Sequence, residues 1–282
     1  MEAWKIARLT EKEFDKLSHF IFGQYGIRMN PLKKPMLESR LQKRLQALGM
    51  SSYHQYCNYL FSSQGQANEL IPLVNVVTTN KTDFFRESAH FDFLTQYFLP
   101  QVCPYVSSQQ PLRIWSAGCS SGEEPYTMAM VMHEFARRCP SALHYSILGT
   151  DLSPRVLELA TTAVYTPEQV APIPMQLQQR YFLRSKDPKK PVTYRIVPEL
   201  RETVSFRQLN FMNSTYDIPG HCDIVFCRNV LIYFDKPTQE KVIARLCAKL
   251  REGGLLLLGH SESTSGMNLP LEQIQPAIYR KI

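Results

Sequence analysis

From residue 112 to its end the chain alternates short apolar runs with helix-like stretches, and its most chemical residues sit where one texture gives way to the other. Strands are expected at 112–117, 144–150, 204–209, 222–227, 255–258 and, last, 277–281, with helices at 123–138, 154–163 and 237–251. Such alternation specifies an α/β fold with a mainly parallel sheet. In an open sheet of that kind the carboxyl ends of the strands line one crevice, and ligands bind there. Three short runs carrying polar residues fall at strand ends: residues 115–126 (WSAGCSSGEEPY), 149–151 (GTD) and 226–235 (FCRNVLIYFD). Their placement predicts a nucleotide-type cofactor site.

The first part of the chain is different. Residues 1–78 carry apolar positions at helical spacing: Phe14, Leu17, Phe20 and Ile21, closed by Gly23 and Gly26, then Leu37, Leu41, Leu45 and Leu48 on one stripe. A third helix is expected around Tyr53, Tyr56, Cys57, Leu60 and Phe61, and a fourth over 69–77. On a helical wheel Lys33, Arg40 and Arg44 gather beside the leucine stripe, with Lys43 on their far side. Residues 79–111 form a linker and lid segment, with Phe84, Phe85 and residues 91–98 helical and 104–111 a loop. Residues 164–203 break the α/β rhythm with six prolines and β-like pieces at 181–183 and 192–197, which reads as a small β insertion.

Composition narrows the class. With 44% hydrophobic and 20% charged residues the chain is that of a folded soluble protein. No apolar run approaches the roughly 20 residues of a membrane span, and Glu2, Glu11, Glu13 and Asp15 argue against a signal peptide. Seven cysteines, an odd number without a CxxC pair, argue against a disulfide framework or zinc site. Cys57, Cys119, Cys222, Cys227 and Cys247 read as reduced core residues, which implies a cytoplasmic protein. The seven histidines lack ligand spacing, so no metal is expected. A net charge of +7 suits nucleic acid, an anionic membrane surface or an acidic protein partner alike.

At the first strand end, Gly118 and Gly122 allow a sharp bend and close backbone approach, although a bare strand–helix turn would look the same. The pair Glu123 and Glu124 is more telling. Helix N-termini in dinucleotide sites bind phosphate, which two carboxylates would repel. A ligand bearing an ammonium and a sulfonium and no phosphate, such as S-adenosylmethionine, would be accepted. First-turn dipole stabilisation is the plainer reading of the two acids. Asp151 is placed to accept both ribose hydroxyls of an adenosine, or to cap the helix near Pro154, where Ser153 is the better cap. Asn210 suits an adenine edge or a turn. If the turn after the fourth strand is helical, Asn229 and Tyr233 share a face toward the crevice; a core tyrosine is the alternative. In residues 80–87 (NKTDFFRE), Arg86 either pairs with Asp83 or Glu87, or closes over the crevice to reach a carboxylate.

Residues 80–87, 115–126, 149–151, Asn210, 226–235 and 253–262 (GGLLLLGHSE) together resemble the CheR family, chemotaxis-receptor glutamate O-methyltransferases, and the resemblance runs nearly end to end. It implies a Rossmann-like class I methyltransferase domain over 112–282, carrying a small antiparallel β insertion and preceded by an all-α N-terminal receptor-interaction domain over 1–78. It implies S-adenosylmethionine as cofactor, with S-adenosylhomocysteine as product, and cytoplasmic chemoreceptor helices as partner. By position, Asn80, Thr82, Arg86, Gly118, Glu124, Asp151, Asn210, Phe211, Arg228 and Asn229 would contact the cofactor. Arg86 and Tyr233 would lie nearest the transferred methyl, and Lys33, Arg40, Lys43 and Arg44 would face the acidic receptor. A monomer, without nucleic acid or membrane insertion, is expected. In some relatives the β insertion docks a receptor C-terminal peptide through a glycine-rich loop; here that loop, residues 185–191, reads SKDPKKP.

Three rival readings share the sheet. A nicotinamide-dependent oxidoreductase is opposed by Glu123, Glu124 and the incomplete glycine pattern. A nucleic-acid methyltransferase lacks an Asn/Asp-Pro-Pro-aromatic motif and an aromatic–basic stacking platform. The last is a non-catalytic signalling protein that binds cofactor and receptor.

Overall fold

The computed structural model describes residues 8–107, 109–139 and 143–282; Glu2, cited above against a signal peptide, and residue 108 of the 104–111 loop lie outside them. Seven strands form one sheet in the order β6-β2-β1-β7-β8-β10-β9: β1 Leu112–Ala117, β2 Tyr145–Asp151, β6 Val204–Gln208, β7 Cys222–Cys227, β8 Leu250–Leu258, β9 Leu271–Gln275 and β10 Ile278–Lys281. β6, β2, β1, β7 and β8 are parallel, whereas β10 runs antiparallel to both β8 and β9. The order reverses between β1 and β7, and the parallel strands all end on the same side there.

The central strands are apolar on both faces, for a reason visible residue by residue. Leu255 and Leu257 of β8 pack into the core under one face with Ile114, Ile224 and Phe226. Leu256 and Leu258 pack under the other face with Trp115, Val225 and Cys227. Side chains alternate across a strand, and helices cover both faces of a parallel sheet, so an unbroken leucine run is what burial on both sides requires. Helices Glu123–Ala136, Pro154–Thr162 and Lys236–Lys249 supply that cover. Pro154–Thr162 starts as expected, with Ser153 accepting from Val156 N and proline at the first position.

The amino-terminal helices Glu11–Tyr25, Lys34–Ala47, Tyr53–Leu60, Ser63–Asn68 and Leu70–Val77 enclose their own core, which Leu152 and Tyr233 of the α/β part join. Thr10 and Glu13 close a reciprocal capping box at the first helix, and Gly26 ends it at φ 69°. The stretch 164–203 holds a second, three-stranded antiparallel sheet, β3-β5-β4 (β3 Val164–Tyr165, β4 Phe182–Arg184, β5 Tyr194–Ile196).

Several details differ from the sequence expectation. Strand β9 was not expected: its LEQIQ sequence offers two apolar residues, because an edge strand needs only one partly covered face. β8 begins at Leu250, five residues before the leucine run, through its solvent-facing Arg251 to Gly253. The insertion also contains helices Pro167–Val170, Met175–Tyr181 and Pro198–Arg201, each with proline as cap or at its first turn, so the prolines start short helices as well as breaking longer ones. Phe84 and Phe85 lie in a turn, and Leu94–Phe98 winds as a π-turn. Cys103 and Cys139 are joined by a disulfide; counting cysteines could not see a single bridge across 36 residues. The other five are buried free thiols. Among the described residues no helix is long and apolar enough to cross a membrane.

Candidate active site

A crevice of about 940 Å³, mouth included, lies at the carboxyl ends of β1, β2 and β7, closed from above by residues 77–86 and from one side by Tyr25 and Ile27. Its wall contains every residue expected to touch a cofactor (Asn80, Thr82, Arg86, Gly118, Glu124, Asp151, Asn210, Phe211, Arg228 and Asn229), and Tyr233 as well. Lys33, Arg40, Lys43 and Arg44 do not line it.

The bend after β1 needs its glycines. Gly118 has φ 91°, and a Cβ there would meet Val230 Cγ2 at 2.4 Å; Gly122 has φ 97° and would meet Ala160 Cβ and Tyr165 Oη at 3.0 Å. The bend delivers Ser120, at φ 50°, to Asp151: Ser120 N donates to Asp151 Oδ2 at 2.9 Å and Ser153 N to Oδ1 at 3.0 Å. Each oxygen keeps a lone pair for a further donor. Burial raises the Asp151 carboxyl above the usual range, while these backbone N–H groups pull it down. Asp151 therefore does not serve as the helix cap; Ser153 does.

Glu123 and Glu124 part company. Glu123 turns away from the crevice, accepting from Ser121 Oγ at 2.7 Å and from Gln169 Nε2 at 3.0 Å, and burial raises its carboxyl. Only Glu124 reaches the crevice wall. It is not a bare anion: Ser116 Oγ donates to it at 2.6 Å and Arg228 Nε at 2.7 Å. The acidic pair inferred from sequence is thus a single carboxylate, neutralised in place, and Asp151 is the other acid facing the cavity.

Arg228 is the hub beneath the lid segment. Its side chain is 2% exposed, lies over the rings of Phe91 and Phe226 at 5.3 and 5.2 Å, and pairs with Glu87 at 3.5 Å as well as Glu124. Arg228 Nη1 also donates to the Arg86 carbonyl at 2.6 Å and lies 3.3 Å from His90 Nδ1. Arg86 itself bonds neither Asp83 nor Glu87. Its guanidinium donates to the Lys81 carbonyl at 3.2 Å and lines the crevice.

On the far wall, Asn210 Nδ2 donates to Gln24 O at 2.9 Å while its Oδ1 accepts from Met212 N at 2.9 Å, so the amide is engaged in a turn and a contact between the two parts of the chain. Asn229 sits at φ 59°. It is held there by Glu262, missed as a functional residue, whose carboxylate takes Asn229 N, Leu231 N and Gly259 N at 2.9, 2.8 and 2.7 Å. The burial of Glu262, at 7% exposed, shows only in the structure, since its partners lie 33 and 31 residues earlier in the chain or across a turn. Leu231–Tyr233 is a single 3-10 turn, enough to put Asn229 and Tyr233 on one wall; Tyr233 Oη donates to Thr79 O at 3.4 Å.

The four cations of the helical part have different fates. Arg40 donates from Nη1 to Val77 O and Thr78 O at 2.9 and 3.1 Å and from Nη2 to Thr79 Oγ1 at 3.0 Å, tying the lid segment to helix Lys34–Ala47. Arg44 forms a two-pronged pair with Glu69, itself 1% exposed, at 2.8 and 2.7 Å. Lys43 is exposed, and Lys33 Nζ lies 5.9 Å from the Tyr233 ring centroid.

Glu87, His90 and His260, scattered in sequence, bring one donor atom each within 4.8 Å of one another. Arg228 already places a positive charge 3.5 Å from Glu87, which opposes a metal cation there. Burial first, then the Arg228 and His260 charges, lower the His90 pKa from its usual 6.5 to about 4, against an upward pull from Glu87. A folded-state pKa below the unfolded one means the unfolded chain takes up the proton first as pH falls. Stability is therefore lost between about pH 6.5 and about 4 and regained as pH rises. Urea unfolding at pH 7.5 and 5.0 should show a smaller pH difference in His90→Asn than in the wild type; equal differences would contradict this.

The mainly parallel sheet, the glycine bend after β1, the acid that ends β2 and the crevice between them make a cofactor site on a Rossmann-like sheet. The match to a SAM binding domain makes the chain an S-adenosylmethionine-dependent methyltransferase. The profile of the CheR methyltransferase all-alpha domain matches residues 12–78, and that of the CheR methyltransferase SAM binding domain matches residues 80–279. The chain belongs to the CheR methyltransferase family. It is 37% identical over 275 residues to the chemotaxis protein methyltransferase of Borreliella burgdorferi, covering 97% of this chain and 95% of that protein. With chemotaxis protein methyltransferase 2 of Pseudomonas aeruginosa it shares 37% over 254 residues, 90% of this chain and 87% of that one. The Escherichia coli chemotaxis protein methyltransferase is 36% identical over 257 residues, 91% and 86% of the two chains.

Proposed function

We propose that this methyltransferase moves a methyl group from S-adenosylmethionine to glutamate side-chain carboxylates of bacterial chemoreceptors during sensory adaptation. Its relatives are named chemotaxis protein methyltransferases, and the lining fits the donor. Asp151 offers two carboxylate lone pairs to a ribose diol. Arg86, lining the same cavity with no carboxylate within ion-pair distance among the described residues, suits the carboxylate of an amino-acid end. The single observation that carries the reading is this Arg86 guanidinium, held over the crevice through its own backbone by Arg228.

Bound S-adenosylmethionine supplies a methyl on a sulfonium; the new bond is carboxylate oxygen to carbon, the sulfur–carbon bond breaks, and S-adenosylhomocysteine leaves. The rest falls to the chain. A glutamate, with an ordinary pKa of about 4.3, is already an anion at neutral pH and needs no general base. Positioning is then the main contribution, worth up to roughly 7–11 kcal/mol in favourable systems. Asn80, Thr82, Gly118, Asn210, Phe211 and Asn229 complete the cofactor wall, with Glu124 and Arg228 fixing its floor. Tyr233 orients the acceptor. Lys33 and Lys43 draw an acidic receptor toward the crevice, while Arg40 and Arg44 act through the fold.

Incubation with labelled S-adenosylmethionine and a chemoreceptor cytoplasmic fragment tests this. Arg86→Ala should lower kcat/KM about 10- to 100-fold, the worth of a charge-assisted bond, and Tyr233→Phe should lower kcat with cofactor affinity kept. Wild-type cofactor binding without transfer to any receptor would replace catalysis by a sensing role.

A further inference from the structure

The geometry points to an acceptor-docking rim outside the cofactor crevice, built from Leu32 and Ile232 with the cations Arg28, Lys33 and Lys236, and fitted to one turn of an acidic amphipathic helix. This rests on the function proposed above and names the surface by which that site would recognise its acceptor.

The face expected from sequence is largely withdrawn, because Arg40 and Arg44 are bonded inside the protein. Two large apolar side chains stand out instead on the two loops that meet at Tyr233 of the crevice wall: Leu32 is 89% exposed and Ile232 50%. Neither belongs to a loose loop. Leu32 lies in the Pro31–Lys33 turn, where Lys33 N donates to Asn30 O at 2.9 Å and Lys33 Nζ to Arg28 O at 3.2 Å. Ile232 follows Leu231, whose N–H is fixed by buried Glu262 at 2.8 Å, and its neighbours Leu231 and Phe234 are buried. The two loops touch around Tyr233: Arg28 N donates to Tyr233 O at 2.9 Å, and Lys33 Nζ lies over the Tyr233 ring at 5.9 Å.

An acceptor glutamate that reaches past Tyr233 brings its own helical neighbours to this rim, since residues three and four apart stand about 5–6 Å from one another on a helix. Apolar ones would rest on Leu32 and Ile232. Acidic ones would meet Arg28, Lys33 and Lys236, of which Arg28 and Lys236 are exposed. The acid in this stretch, Asp235, caps helix Lys236–Lys249 through Thr238 N at 3.0 Å and also feels the Arg28 charge, so it offsets one of the three cations and leaves a net positive rim. Exposed apolar groups held rigidly inside a positive rim beside an active-site wall are what a short amphipathic partner requires.

The test is initial-rate kinetics of the full chain on a chemoreceptor cytoplasmic fragment, for Leu32→Ser, Ile232→Ser, the double variant and Arg28→Glu. The double variant should raise KM for the fragment at least about tenfold, the effect of exposing apolar surface that binding would bury, with kcat and the KM for S-adenosylmethionine unchanged. Arg28→Glu should raise the same KM and flatten its salt dependence. Calorimetric binding of S-adenosylhomocysteine checks that each variant is folded. Wild-type KM in the double variant overturns the rim while leaving the function standing. Loss of self-association on sedimentation, with KM unchanged, assigns the patch to a second copy and also overturns it. A wild-type enzyme that binds S-adenosylhomocysteine and labels no receptor fragment overturns the function and the rim with it.

Discussion

Asp151→Ala is expected to lose S-adenosylhomocysteine binding by at least roughly 100-fold, about 3 kcal/mol, in calorimetric titration. Two costs combine. The charged acceptor proposed for the ribose hydroxyls disappears, and such bonds are worth about 1.5–3 kcal/mol each. The Ser120 and Ser153 N–H groups also lose their partner, and Ser120 stands at a positive φ with Asp151 as its anchor. The glycine bend stays tied to β2 by Gly118 N and Cys119 N on Thr150 O, but its Ser120 end is released. Asp151→Asn keeps one acceptor oxygen and should fall between the two. Binding by the alanine variant close to that of the wild type would remove Asp151 from the cofactor site.

The largest effect on stability should come from Arg228→Ala. Its guanidinium is surrounded by Glu124, Glu87, His90 and the Arg86 carbonyl with almost no solvent contact. Deleting one partner of a buried ionic cluster leaves uncompensated charge and costs about 3–5 kcal/mol. Urea unfolding should show a loss of that size, and cofactor binding should weaken as the lid segment is released. Lysine restores a charge without the planar fork, so Arg228→Lys should recover part of the stability and little of the lid's order. A surface pair would behave otherwise: an exposed ion pair contributes about 0–1 kcal/mol. An unfolding midpoint unchanged in Arg228→Ala would place Arg228 in that class.

Much of the fold was legible because burial on two faces leaves a plain mark. β1 and β7 coincide with their expected bounds, and the leucine run marked β8. Edge strand β9 left almost none, since LEQIQ buries little and its pairing partner β10 lies across a tight turn. Part of the crevice lining was also legible, through Gly118, Glu124, Asp151, Asn210 and Asn229 placed at strand ends, whereas Asn80, Thr82 and Phe211 came only through the family resemblance. What sequence could not supply was the direction of side chains. Glu123 and Glu124 are adjacent, yet helical rotation sends one to Gln169 and the other to Arg228. Arg40 and Arg44 lie beside the buried leucine stripe on the wheel, and their length lets them reach Thr79 and Glu69 across the helix packing instead of facing a partner. Glu262 and the group of Glu87, His90 and His260 are meetings of distant segments, and spacing along the chain does not encode those.

The most direct measurement is tandem mass spectrometry of a chemoreceptor cytoplasmic fragment after incubation with the enzyme and S-adenosylmethionine. Methyl esters on glutamate side chains, lost on mild base treatment and absent when those glutamates are replaced by alanine, are the expected result. Methylation confined to lysine nitrogens, or appearing only on added RNA, would contradict it.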